Sequence, residues 1–249
     1  MKSLPLALAL LATLSLARAA DPAPALSASE LASKLSAARD SGTAEIRLRM
    51  LIQAPAGETT STLQLRIKES RTQGSNNAVY EVLFPPERKG ESVFLRQKGG
   101  SAASGTVRLP NGKTQALSPS DAVFGSDLIV ADAMDDFFAW KNQALVGSEK
   151  IGNVNCVILE SKSGQASPYA SVRSWIDLRR MVPLRVEKYL PSGKLARRIV
   201  TTRVVPDAGR QIPGDLKIES PDRHSQTMLD GSSIRHDIKL SESDFNPAP

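Results

Sequence analysis

Strict alternation of apolar and polar residues constrains this 249-residue chain most. In TAEIRLRMLI, Ala44, Ile46, Leu48, Met50 and Ile52 fall on one side of an extended backbone, and Glu45, Arg47 and Arg49 on the other. Side chains alternate across a strand, so the pattern is that of a half-buried strand. TLQLRIK repeats it with Leu63, Leu65 and Ile67. VYEVLFPP and ESVFLRQ are more apolar runs on either side of the Pro85-Pro86 break, and GTVRLPNGKTQAL places Asn111-Gly112 between two short runs, a hairpin signal. VNCVILES, SVRSWIDL, VPLRVEKYL, KLARRIVTTRVV, LKIES, SQTML and SSIRHDIKL follow, with turn-like separators such as PSGK and LDGS. The expectation is a mainly β chain of about ten antiparallel strands with few helices. A single curved sheet with an apolar inner face and a two-sheet sandwich both satisfy the pattern.

Helical spacing occurs twice. Ser27 precedes Glu30 by three residues, as in a capping box, and Leu31, Leu35 and Ala38 recur at helical intervals before Ser41-Gly42. This predicts an amphipathic helix over Ala28 to Asp40. The second segment, DAVFGSDLIVADAMDDFFAWK, begins at Asp121 and carries five carboxylates. On a helical wheel Val130, Ala133, Met134, Phe137 and Phe138 share one face, and Asp132, Asp135 and Asp136 fall on the far side. Ser126 or Asp127 would cap its start. The segment is therefore expected to be a capped lid helix, apolar inside and acidic towards solvent. Three aspartates on a helix surface supply too few oxygens for calcium, and no metal is assigned to them.

The N-terminal MKSLPLALALLATLSLARAADPAP has a positive start at Lys2, an apolar run from Leu4 to Leu16, and the small-x-small pattern Ala17-Arg18-Ala19. It reads as a cleaved export signal over residues 1–19, too short to span a bilayer. A flexible lead-in over 20–27 and one domain over 28–249 complete the division. The single cysteine, Cys156, allows no intrachain disulfide and lies far from the cleavage site, so no lipidated N-terminus is expected. The expected product is soluble and periplasmic. Net charge is +6, or +4 without Lys2 and Arg18; the basic residues are spread over many segments, which argues against nucleic acid.

Residues for chemistry are sparse. His236 shares a strand face with Ile234, Ile238 and Leu240, and is expected at a core or rim. His224 lies in the polar SPDRHSQ turn, and Cys156 in an apolar run that suits a buried inert thiol. No nucleophile elbow accompanies a serine, and no glycine-rich phosphate loop is present in the sequence. No catalytic residue, metal or cofactor is assigned.

At WIDLRRMVPLRVEKYLPSGKL, the residues Trp175, Ile176, Asp177, Pro183-Leu184-Arg185, Glu187, Tyr189 and Gly193-Lys194-Leu195 form a recognisable block. It resembles the W-(V/I)-D … P-L-(R/K)-x-E-x-Y … G-K-L block of the LolA-like outer-membrane lipoprotein-sorting family, in the LolA/LolB superfamily. FPPERKGESVFL and FGSDLIVADAMD resemble two further blocks of that family, in the same order. The resemblance implies a strongly curved antiparallel sheet, an incomplete barrel covered by two or three helices, with acyl chains or other lipid held between them. It implies a possible inner-membrane partner of the resistance-nodulation-division or MMPL transporter type; the lack of any acid–base pair in a recognisable setting gives the expectation of no enzymatic activity, and a monomer is expected. Combined with the strand faces, it makes Ile46, Leu48, Met50, Leu63, Leu65 and Ile67 the expected cavity lining, with Val130, Met134, Phe137, Phe138 and Trp175. A rival expectation is an adaptor with a filled core that binds a transporter domain. A third is a lipid hydrolase, which would need a serine or a carboxylate pair inside the pocket.

Overall fold

The computed structural model describes residues 26–39, 42–72, 74–163 and 166–246. The expected export signal over residues 1–19 and most of the expected lead-in over 20–27 lie outside the described residues. Helix α1 spans Ala28–Arg39. The capping box forms as its spacing predicts: the Ser27 backbone N–H donates to Glu30 Oε2 at 2.9 Å, and the Glu30 N–H to Ser27 Oγ at 3.2 Å. Leu31, Ala32 and Leu35 are its buried residues.

Thirteen antiparallel strands follow: β1 Gly42–Gln53, β2 Thr59–Thr72, β3 Ser75–Phe84, β4 Ser92–Lys98, β5 Ser104–Arg108, β6 Thr114–Leu117, β7 Asn142–Ile151, β8 Val154–Lys162, β9 Ser171–Asp177, β10 Val182–Tyr189, β11 Leu195–Asp207, β12 Arg210–Ser220 and β13 Ser225–His236. They form one sheet, in the order β6-β5-β4-β3-β2-β1-β13-β12-β11-β10-β9-β8-β7. Edges remain at β6 and β7, so the sheet is not closed, and the two-sheet sandwich is excluded. The register follows the alternation directly: Ile46, Leu48 and Met50 lie opposite Ile67, Leu65 and Leu63.

The strand count exceeds ten, and the thirteen strands differ from the expected runs at two places, one strand added and two runs merged. Strand β7, NQALVGSEKI, is exposed along almost its whole length and so shows no apolar alternation. SQTML and SSIRHDIKL are not separated by a turn: β13 runs through Gly231. A Cβ on Gly231 would lie 2.5 Å from the Gly214 carbonyl oxygen of β12, so glycine is needed there for close backbone approach rather than for a reversal.

The segment between β6 and β7 crosses the inner face. It is not the continuous helix its wheel suggested. Helix α2 covers only Val130–Met134, Asp135 is extended, and Phe137–Ala139 forms a separate 3-10 turn. Two apolar clusters result. In one, Met50, Leu63, Leu65, Ile67, Val82, Val93 and Leu95 of β1–β4 pack against Val130, Ala133 and Met134. In the other, Leu159, Val172, Ile176 and Val186 of β8–β10 pack against Leu31 and Leu35 of α1 and against Phe137 and Phe138.

Candidate functional site

The inner face is the candidate site, and its two halves are built differently. Over β1–β4 the expected lining residues Met50, Leu63, Leu65, Ile67, Val130 and Met134 do come together, with Ile46 and Leu48 packed at the margin. Met50, Leu63 and Met134 are each 0% exposed, so this half is filled by side chains. Phe137 and Phe138 sit in the other half, their ring centroids 4.4 Å apart. Trp175 stands apart from both. It packs with Cys156, Val182 and Leu184 on the outer face, donates Nε1–H to Glu149 at 2.7 Å, and lies under the Arg185 guanidinium at 4.9 Å. Successive strand residues point to opposite sides, and Ile176 takes the inner one. Its placement in the lining is corrected accordingly.

The aspartates reverse the sequence reading. Asp132 is not solvated: its side chain and that of Lys188 are 0% and 1% exposed, and Lys188 Nζ lies 2.8 Å from Asp132 Oδ1. Tyr169 donates its hydroxyl to the same oxygen at 2.8 Å, and the Ile129 N–H donates to Oδ2 at 3.2 Å. Burial, with the Asp132 charge beside it, pushes the Tyr169 phenol far up. Asp135 is also buried and accepts from Ser167 Oγ at 2.7 Å and Gln97 Nε2 at 3.1 Å. Burial raises its carboxyl above the ordinary range. Asp136 accepts from Ser36 Oγ of α1 and from the Phe138 N–H. Asp127 accepts from Ser225 Oγ at 2.6 Å, Thr227 Oγ1 at 3.0 Å and Arg223 at 2.9 Å. Each carboxylate pins the covering segment to a different part of the sheet or to α1. Asp127, Asp132 and Asp136 are paired with cationic side chains, and Asp135 is satisfied by neutral donors, as buried carboxyls require.

One feature of the sequence pointed that way. Val186 and Lys188 lie on the same strand face, so an inward Lys188 requires a buried counter-charge. The wheel hid Asp132 as that partner, because it presumes that the far side of the helix faces solvent, whereas α2 is buried on that side as well.

Beside the second cluster lies a cleft of about 970 Å³ between α1, the β2–β3 turn, the end of β4 and the covering segment. Residues from both arms of the sheet line it, Asn76 and Gln97 from one and Asn142 and Gln143 from the other, so the sheet curves its ends towards each other. The lining is mixed: Ser29, Ser33 and Ser36 from α1 face it, with Asp135 and Asp136, alongside Ala32 and Ala37. Phe138 and Trp140 supply its aromatic wall. No sequence signal marked this cleft, which depends on the curvature.

Of the other candidates, Cys156 is buried as expected, and burial pushes its thiol up. His236 is half-buried at the sheet rim, its Nε2 2.8 Å from Asp207 Oδ1.

A family model described only as an uncharacterized protein matches residues 74–249. No curated protein sequence matches the chain. Among solved structures, the chain is similar to a DUF1329 family protein from Desulfovibrio piger, at 19% identity, TM-score 0.79, and coverage of 88% of this chain and 95% of that one. An outer membrane lipoprotein-sorting protein domain from Vibrio parahaemolyticus matches at 20% identity, TM-score 0.77, and coverage of 88% and 96%. A LolA superfamily protein from Nitrosomonas europaea matches at 18% identity, TM-score 0.72, and coverage of 89% and 98%.

Proposed function

The chain belongs to the family whose model spans residues 74–249 and has a LolA-like fold, and from that premise we propose that it is a periplasmic carrier of a lipid or lipoprotein acyl chain. It binds without catalysing a reaction, and it exchanges its ligand with a membrane partner, an inner-membrane transporter fitting the role. Among the described residues no helix is long and apolar enough to cross a membrane.

The observation that carries this reading is the covering segment. It closes an apolar sheet face, yet between β6 and β7 it is held largely by side-chain clamps at Asp127, Asp132, Asp135 and Asp136 rather than by strand pairing. Beyond its break after Met134, the Phe137–Ala139 end of such a cover can part from β8–β10 while α2 and the sheet ladder stay in place. Each methylene then moved from water onto the exposed face is worth about 0.8 kcal/mol. The test is uptake of a fluorescent acyl-chain probe by delipidated, folded protein. Saturable uptake supports a carrier; a folded protein that takes up none contradicts it.

A second reading is favoured by one specific observation. The β1–β4 half is filled, with Met50, Leu63 and Met134 fully buried, as in an adaptor that binds a transporter domain through its surface. The same uptake measurement separates the two.

A further inference from the structure

We propose that the acyl chain enters beneath α1, over β8–β10, and that Ser174 donates a hydrogen bond to the carbonyl oxygen of an acyl ester whose uncharged, hydroxyl-rich headgroup occupies the adjoining cleft. This rests on the carrier reading and adds where the ligand sits and what chemical class it belongs to.

Ser174 lies in the middle of β9, opposite Leu159 of β8 and Val186 of β10. Val172 and Ile176, two residues away on either side, share its face. All four neighbours belong to the apolar cluster that α1 and Phe137–Phe138 close. Ser174 is 0% exposed, and its Oγ has no hydrogen-bond partner among the described residues. A buried hydroxyl without an acceptor destabilises the closed state, and an apolar side chain of similar size would avoid that cost. What the hydroxyl lacks is one acceptor inside apolar surroundings. An acylated lipid supplies that: its chain is apolar, and its ester linkage carries a carbonyl oxygen.

The position of the headgroup follows from continuity. Ala32 and Phe138 belong both to this cluster and to the cleft wall, so a chain lying under α1 emerges into the cleft. The charged side chains lining the cleft are Asp135, Asp136 and Lys141. The nearby Arg39 guanidinium is already engaged, donating to the Asp135 carbonyl oxygen at 3.1 Å and lying 3.8 Å from the Asp136 carboxylate. Two carboxylates against the single Lys141, with the nearby guanidinium engaged, disfavour a phosphate. The serine hydroxyls of α1 and the amides of Asn76 and Gln97 suit a polyol or sugar.

The experiment titrates the full folded protein with three probes, 1-lauroylglycerol, its ether counterpart 1-dodecylglycerol, and 1-lauroylglycerol 3-phosphate, using tryptophan fluorescence and calorimetry. The wild type should bind the ester about three- to tenfold more tightly than the ether, the range for one hydrogen bond. It should bind the phosphate less tightly than the neutral ester. In Ser174→Ala the ester preference should vanish while ether binding is unchanged and the melting temperature holds or rises. Equal binding of ester and ether by the wild type, or a preference that survives in Ser174→Ala, overturns the assignment of Ser174. Tighter binding of the phosphate overturns the headgroup class. Either result leaves the carrier reading standing, whereas a folded wild type that binds none of the three overturns both.

Discussion

The two halves of the inner face bury similar kinds of side chain but differ in what else they bury. Over β1–β4 the packing around Met50, Leu63 and Leu65 is apolar, α2 fills it with Val130 and Met134, and the largely buried Arg71–Glu69 ion pair closes its edge. Over β8–β10 the apolar cluster surrounds an unpartnered hydroxyl at Ser174, borders the buried Lys188–Asp132 pair, and opens onto the cleft. The first half has the character of a core. The second has apolar packing with polar groups left inside, as expected of a surface that changes partners. On the proposed reading the first half stays rigid and the second exchanges ligand, and the contrast is open to direct perturbation.

The largest effect is expected at the buried pair. Asp132→Asn should leave Lys188 charged and unpaired, and breaking such a pair costs about 3–5 kcal/mol. The double change Asp132→Leu with Lys188→Met should recover much of this, because an apolar replacement removes both desolvation penalties. Urea midpoints of the wild type and the two variants measure it, and a single change under about 1 kcal/mol would mean the pair does not hold the cover.

Leu63→Ala, in the filled half, should cost about 2–5 kcal/mol. Its acyl-probe affinity, measured where the protein stays folded, should be nearly that of the wild type. Phe138→Ala, in the exchanging half, should lower probe affinity more than Leu63→Ala does, and a reversed order would move the site to β1–β4.

Asp135 gives a pH signature for the clamp. Burial raises its folded pKa above the ordinary 3.8. Over the window just above 3.8 the folded state keeps a proton that the unfolded chain has released. Its contribution to stability therefore falls as pH rises through that window. Asp244 has the opposite sign: the hydrogen bond from Lys68 holds it down at about 2, so its contribution is lost as pH falls from the ordinary 3.8 towards about 2. The stability difference between wild type and Asp135→Asn, followed by denaturant titration from pH 3 to 7, should shift against the wild type as pH rises. A difference that is flat with pH would place the Asp135 carboxyl in an ordinary environment.

The smallest effect belongs to the outer surface. Arg49 is 57% exposed and lies 2.7 Å from Asp230. Arg49→Ala should change stability by less than about 1 kcal/mol and leave probe uptake alone.

Much of the sheet was legible in the sequence because alternation is a local property. The faces of β1 and β2 were read residue by residue, and their pairing put Met50 opposite Leu63 and Leu48 opposite Leu65. Strand β7 was missed because an edge exposed on both faces carries no period. The covering segment was misread because a wheel assigns faces only to a continuous helix, and this one breaks after Met134. Asp132 meets Lys188 because α2 is covered on its far side as well, and past the break Asp135 turns to Ser167 and Gln97, contacts 32 or more residues away in sequence. Trp175 was assigned to the wrong side because its run, SVRSWIDL, is apolar on both faces near its end, with Trp175 and Ile176 both buried. The cleft and the isolation of Ser174 depend on how the sheet curves, which no short stretch of sequence records.

The most direct test of the account is hydrogen exchange followed residue by residue while 1-lauroylglycerol is added to the folded protein. The amides of α1 and of Phe137–Ala139 should change by tenfold or more, while those of β1–β4 and α2 hold their protection. Changes confined to α2 and β1–β4, with α1 unaffected, would contradict the claim that lipid enters beneath α1.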